Sequence, residues 1–181
     1  LKFNISSQMS KLTVVFTGSP TEKYHPDSGG IQLAEYSFCE SNKKDGWEKT
    51  VIIRGEKDEA THSDNLNLIS IAAADLKLGG LVDSVPFSLK ASGIINELGM
   101  RGEDCVHFTS LVPAMVYFDH PINDYIKEKR NVFRPKFFYT IHNVHYGVID
   151  KPEDVFIHYP DEWKYLHDAE YRVIKHVDQV F

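Results

Sequence analysis

Apolar, β-branched and aromatic residues collect in short runs along this chain, with helical periods between several of them. The run Phe137-Phe138-Tyr139-Thr140-Ile141 shows no alternation, which predicts a strand buried on both faces of a parallel sheet. It ends abruptly in the polar pair His142-Asn143. Lys11 to Gly18 predicts a first strand, stopped by Gly18. Lys49 to Ile53 predicts a second. Leu66 to Ile71 alternates and predicts a third, nearer an edge. Asp104 to Thr109 predicts a short fourth, Phe137 to Ile141 is the fifth, and Val177 to Phe181 begins a sixth.

Helices are predicted between these runs. Ile31 to Cys39 can bring Ile31, Leu33 or Ala34, and Phe38 onto one inward stripe. Val85 to Leu98 is helical in pattern, with Pro86 tolerated in the first turn and Gly99 as its stop. Ser110 to Phe118 starts a helix that Pro113 blurs. Asp161 to Lys175 is a further helix: Asp161 can cap it, and Trp163, Leu166, Ala169 or Glu170, and Val173 follow the helical period. Residues 1–10 form a lead-in. Ser19 to Gly30, Asn42 to Gly46, Gly55 to Asp64 and Asn143 to Pro160 are read as loops, and Asp119 to Arg130 as a polar helix or loop. Strands alternating with helices imply βαβ units, right-handed crossovers and a mostly parallel α/β sheet. The chain stops just after its sixth strand has begun, which predicts a fragment of a longer protein, with residues 11–181 as one domain.

Composition narrows the classes. With 181 residues, 42% of them hydrophobic and 25% charged, the chain can build one domain with a substantial core. Its net charge is -6 and its Lys and Arg are scattered, so nucleic acid is not an expected partner. No apolar run approaches the roughly 20 residues that span a bilayer. Leu1 to Ser10 lacks the apolar core of a signal peptide. Cys39 and Cys105 sit in apolar contexts and are expected as buried thiols, which fits a reducing cytoplasm.

Several residues could carry chemistry. Gly29-Gly30 lies directly before a predicted helix, where backbone can approach a phosphate or sugar hydroxyl; a plain flexible turn is the competing reading. The spaced third glycine of a dinucleotide fingerprint is absent, as is a P-loop Lys. His142 and Asn143 fall at a strand's carboxyl end, the ligand edge of open α/β sheets, and can hydrogen-bond a sugar. Alternatively, His142 holds the next loop. His107 lies inside the fourth strand, where a partly buried structural role competes with ligand contact. Thr109 and Ser110 offer hydroxyls just beyond it. His142, His145 and His158 lack zinc-site spacing and a Cys partner, so no metal is expected. His25, His62, His167 and His176 are read as surface residues. Asp161, Glu162 and Glu170 are read as solvated face and helix-dipole partners. There is no nucleophile elbow, and Cys105 is not set up as an exposed thiolate.

Four blocks in order resemble the N-terminal domain of retaining GT-B glycosyltransferases, the family-4 (glycosyl transferases group 1) and glycogen/starch synthase-like enzymes. Gly29-Gly30-Ile31-Gln32 is similar to the loop opening the first helix of that domain. Asp104-Cys105-Val106-His107-Phe108 is similar to its Asp-hydrophobic-Val-His strand. Tyr139-Thr140-Ile141-His142-Asn143, with Tyr146-Gly147 beyond, is similar to the Thr-Ile-His-Asn stretch and is the most specific block. Glu162 to Phe181 is similar to the helix and Asp-x-Val strand that close the domain. The resemblance implies a Rossmann-like three-layer sandwich, one lobe of a GT-B fold that carries most of the acceptor site. It implies that Gly29 and Gly30 approach the donor diphosphate or acceptor, that His142 contacts the transferred sugar, and that His107, Ser110 and Asn143 line the site. It further implies a nucleotide-sugar as substrate, with no cofactor and no metal expected. The implied partners are a sugar or glycolipid acceptor and a C-terminal domain of the same chain, with room for peripheral membrane contact or self-association.

Two departures bear on substrate. Thr109-Ser110 stand where many members have His or Asp, and Asp27-Ser28 where some synthases have Lys. A cell-surface polysaccharide, glycolipid or small acceptor therefore fits better than glycogen or starch. A non-catalytic Rossmann-like module that binds a sugar or nucleotide, or scaffolds a partner, is the alternative. An NAD-dependent oxidoreductase lacks its glycine fingerprint.

Overall fold

The computed structural model describes residues 10–16, 46–63, 66–72, 85–99, 102, 104–119, 134–141 and 160–181, with side chains in the last segment from residue 168 onward. In chain order the elements are β1 (Lys11–Phe16), β2 (Glu48–Gly55), β3 (Glu59–Ser63), β4 (Leu66–Ala72), α1 (Val85–Glu97), β5 (Cys105–Phe108), α2 (Leu111–Asp119), β6 (Lys136–Tyr139), α3 (Pro160–His176) and β7 (Gln179–Val180). The predicted helix at Ile31 to Cys39 and the predicted polar segment at Asp119 to Arg130 lie outside the described residues, Asp119 apart.

The strands form one seven-stranded sheet in the order β3-β4-β2-β1-β5-β6-β7. Every pairing is parallel except β3 with β4. The fold is thus α/β and Rossmann-like. β1 stands between β2 and β5, so the strand order reverses there. In such sheets the crevice at the reversal, beyond the strands' carboxyl ends, is the ligand edge.

Strand alternation divides the core in two. On one face Val15, Ile52, Ile71, Val106, Phe108, Phe137 and Tyr139 pack against the helices. α1 contributes Phe87, Ala91 and Ile95, spaced four residues apart along one helical stripe. α2 contributes Leu111, Ala114, Tyr117 and Phe118, and α3 contributes Val173. Phe108, Tyr117, Phe118 and Phe137 form an aromatic knot with ring centroids 5.2–6.4 Å apart. Tilted and edge-on pairs dominate it, as ring quadrupoles favour. The opposite face buries Leu12, Val14, Val51, Ile53, Leu66 and Cys105, with Trp47, Leu68 and Phe138 against them. Cys105 is buried, as expected.

Helix ends follow their residues. Pro86 sits in the first turn of α1, where its missing N–H costs nothing. Gly99 follows that helix at φ +61°, and its N–H reaches the Asn96 carbonyl at 3.4 Å. That left-handed conformation suits glycine. Pro113 also falls in a first turn and does not disturb α2.

Two expectations are corrected. The segment from Gly55 to Asp64 is not all loop, because Glu59–Ser63 forms β3, antiparallel to β4. All five residues of β3 are exposed, so this edge strand has no apolar pattern to announce it. It is defined by ladder bonds and by its turn. There Ser70 Oγ donates to the Lys57 carbonyl at 3.1 Å, and the Ala72 N–H donates to Asp58 Oδ1 at 2.7 Å. The second correction is Glu170, which is buried at 2% exposure rather than on the solvated face.

Candidate functional site

The candidate site is the carboxyl edge of the sheet around β1, β5 and β6. Thr109, directly after β5, lies at this edge. Its N–H and its Oγ1 both donate to the Val15 carbonyl, at 3.2 and 3.1 Å. At 3% exposure its hydroxyl is spent on joining β5 to β1. Ser110 is half-buried and immediately precedes α2.

His107 is buried on the face opposite the helices, in register with Val14 and Phe138. Its Nε2 lies 2.7 Å from Thr140 Oγ1, one step beyond β6. The Phe181 ring meets the imidazole edge-on with centroids 6.0 Å apart, and meets Phe138 at 5.8 Å. His107 and Thr140 belong to separate sequence blocks, and the fold joins them. Gly29, Gly30, His142 and Asn143 lie outside the described residues, as do His25, His145 and His158.

The end of β6 is held on all sides. The Thr140 N–H donates to the Phe108 carbonyl at 3.0 Å, and the Ile141 N–H to the Phe181 carbonyl at 3.1 Å. On the helix face the Tyr139 hydroxyl donates to Glu170 Oε1 at 3.4 Å. Burial first, and then the neighbouring Glu170 carboxylate, raises the Tyr139 phenol above its ordinary value of 10.0. The phenol therefore serves as a fixed donor.

The opposite edge is structural. Asp104 Oδ1 accepts from the Lys11 N–H at 2.8 Å, which ties β5 to the start of β1. Asp178 Oδ2 accepts from the Phe137 N–H at 2.8 Å, and Oδ1 accepts from Arg134 at 2.7 Å. The acidic residues of two matched blocks thus align strands and stand away from the ligand edge. Among the described residues, no group of three or more His, Cys, Asp or Glu converges as a metal site. His62 is exposed and pairs with Asn67, and the exposed His176 stacks on Phe118.

Sequence reasoning missed Thr140 and Glu170. The signal for Glu170 was its place on the stripe of α3 beside Ala169 and Val173, all three of which are buried. For Thr140 the signal was only its place in the Tyr139 to Asn143 block, since a Thr within an apolar run otherwise reads as β-former.

Among the described residues no helix is long and apolar enough to cross a membrane. No protein-family model and no curated protein matches the chain. Solved structures do. Sucrose-phosphate synthase from Thermosynechococcus elongatus aligns with a TM-score of 0.63 at 15% identity, over 94% of this chain and 41% of its own. α,α-Trehalose 6-phosphate synthase from Burkholderia multivorans aligns with a TM-score of 0.50 at 10% identity, over 90% of this chain and 38% of its own. The chain spans about two-fifths of the length of either, and what it shares with them is a fold.

Proposed function

We propose that this chain is the N-terminal, acceptor-side lobe of a retaining, nucleotide-sugar-dependent glycosyltransferase of the GT-B type, in family 4. The observation that carries the reading is the junction of β5 and β6 at the ligand edge. There the histidine of one family-like block holds the threonine of another, and the chain then leads directly into His142-Asn143. The fold likeness to two sugar-phosphate synthases supports a sugar-transferase-like module.

In this reading His142 orients the transferred sugar. Asn143 and Ser110 supply uncharged hydrogen bonds to sugar hydroxyls. Gly29 and Gly30 let backbone N–H groups approach the donor diphosphate or acceptor. Transfer builds positive charge on the sugar and negative charge on the leaving diphosphate. Helix-terminal N–H groups stabilise the latter without a metal. A second lobe of the same chain holds the nucleotide, and the cleft between lobes holds the acceptor: a polysaccharide, glycolipid or small molecule. The reaction runs in the cytoplasm, where nucleotide-sugars serve as substrates, and it leaves room for peripheral membrane contact and self-association.

The test is donor-dependent nucleotide release by the full-length protein across UDP-, GDP- and ADP-sugars, with and without candidate acceptors. Release with one donor supports the transferase. Binding without release supports a sugar- or nucleotide-binding module instead.

A further inference from the structure

The carboxyl end of β6 carries a polar pair on each face of the sheet, buried on the helix face and part-buried on the other. On the helix face the Tyr139 hydroxyl donates to Glu170 of α3 at 3.4 Å, with Tyr139 at 3% and Glu170 at 2% exposure. On the other face Thr140 Oγ1 lies 2.7 Å from His107 Nε2, with His107 at 8% exposure. Consecutive residues of one strand point to opposite faces, so the two pairs grip adjacent positions from opposite directions. Burying a carboxylate behind one long bond is unfavourable, and an apolar pair of the same shape would hold the sheet as well or better. Polar pairs do what apolar packing does not: they fix direction and register.

We propose that these pairs form a two-sided pin that sets where the chain leaves the sheet, with His107 and Glu170 as positioning residues. His107 then acts through Thr140 rather than by touching a ligand. Glu170 acts through Tyr139 and also fixes the level of α3 against β6. The backbone bonds of Thr140 to Phe108 and of Ile141 to Phe181 complete the exit. That the exit matters for sugar transfer rests on the proposed function; that it is pinned does not.

Hydrogen exchange on this chain tests the pin with conservative variants, Thr140→Val and Tyr139→Phe, which keep shape and remove one hydroxyl each. After correction for intrinsic rates, each should speed exchange at the Thr140 and Ile141 amides by roughly tenfold, as expected for losing one intramolecular hydrogen bond. The double variant should exceed either single one. The amides of Val14 and Val106, deep in β1 and β5, should change by less than about threefold. Uniform acceleration across the sheet, or none at residues 140 and 141, overturns the proposal. In the full-length protein the same variants should lower nucleotide release at saturating donor while leaving the donor KM in place. If the wild type releases nucleotide from no donor, the glycosyltransferase reading falls, and the exchange result still decides the pin.

Discussion

Asp178 and Phe137 bond to each other twice. The Phe137 N–H donates to the Asp178 carboxylate at 2.8 Å, and the Asp178 N–H donates to the Phe137 carbonyl at 2.7 Å. This double contact starts the pairing of β6 with β7 and sets their register, Phe138 opposite Gln179. Arg134, which also lies over the Phe137 ring at 5.6 Å, holds the other carboxylate oxygen.

Asp178→Ala removes the charge-assisted bond to Phe137 N–H and should cost about 2 kcal/mol of folding stability. Arg134→Ala should cost less than about 1 kcal/mol, because that ion pair is more than a third exposed. Urea unfolding of both variants checks the order; equal losses would contradict it.

Gly55 is required by a close approach. A Cβ built there would lie 1.9 Å from Ser70 Oγ and 3.2 Å from Ser70 Cβ. Gly55→Ala should therefore cost about 1–3 kcal/mol through overpacking. Adding Ser70→Ala should recover part of that loss, although it also forfeits the bond to the Lys57 carbonyl. A double-mutant cycle in denaturant measures the coupling, and strict additivity would contradict the contact.

Phe108 meets the other three rings of the aromatic knot and is fully buried. Phe108→Ala should cost about 3–5 kcal/mol, the range for emptying a large buried site. A chemical-denaturation midpoint that barely moves would contradict the packing described.

Tyr139 gives a pH dependence with a definite sign. Its folded-state phenol is held above the ordinary value of 10.0 by burial and by Glu170. In the unfolded chain the phenol loses its proton near pH 10, whereas the folded chain keeps it. Stability present below that pH is therefore lost as pH rises above it. Tyr139→Phe should flatten this part of the alkaline stability curve. Urea midpoints of both proteins at about pH 8 and about pH 11 bracket the ordinary tyrosine value. Parallel declines would contradict a phenol buried in this way.

Much of the sheet was legible because a parallel core strand is a run of apolar residues, and the runs at Val14-Val15, Val51-Ile52-Ile53 and Phe137-Phe138-Tyr139 all lie in strands. The bounds of α1 were legible from Pro86 and Gly99, whose backbone preferences act locally. β3 was not, because an edge strand with both faces exposed is specified by its partner and turn, not by periodicity. At the candidate site, His107 was visible as a histidine within a strand, but its partner lies 33 residues away in sequence. Only the β5–β6 register brings them together. Glu170 was misread because charge suggests solvent, while the stripe it shares with Val173 pointed inward.

Nucleotide release by the full-length protein and its His142→Ala variant, measured side by side across UDP-, GDP- and ADP-sugars, separates a sugar transferase from a binding module. The expected result is release from one donor by the wild type, and its loss in a variant that unfolds at the same urea concentration. Absence of release from every donor, with acceptors present, would contradict the reading of this fold as one lobe of a sugar transferase.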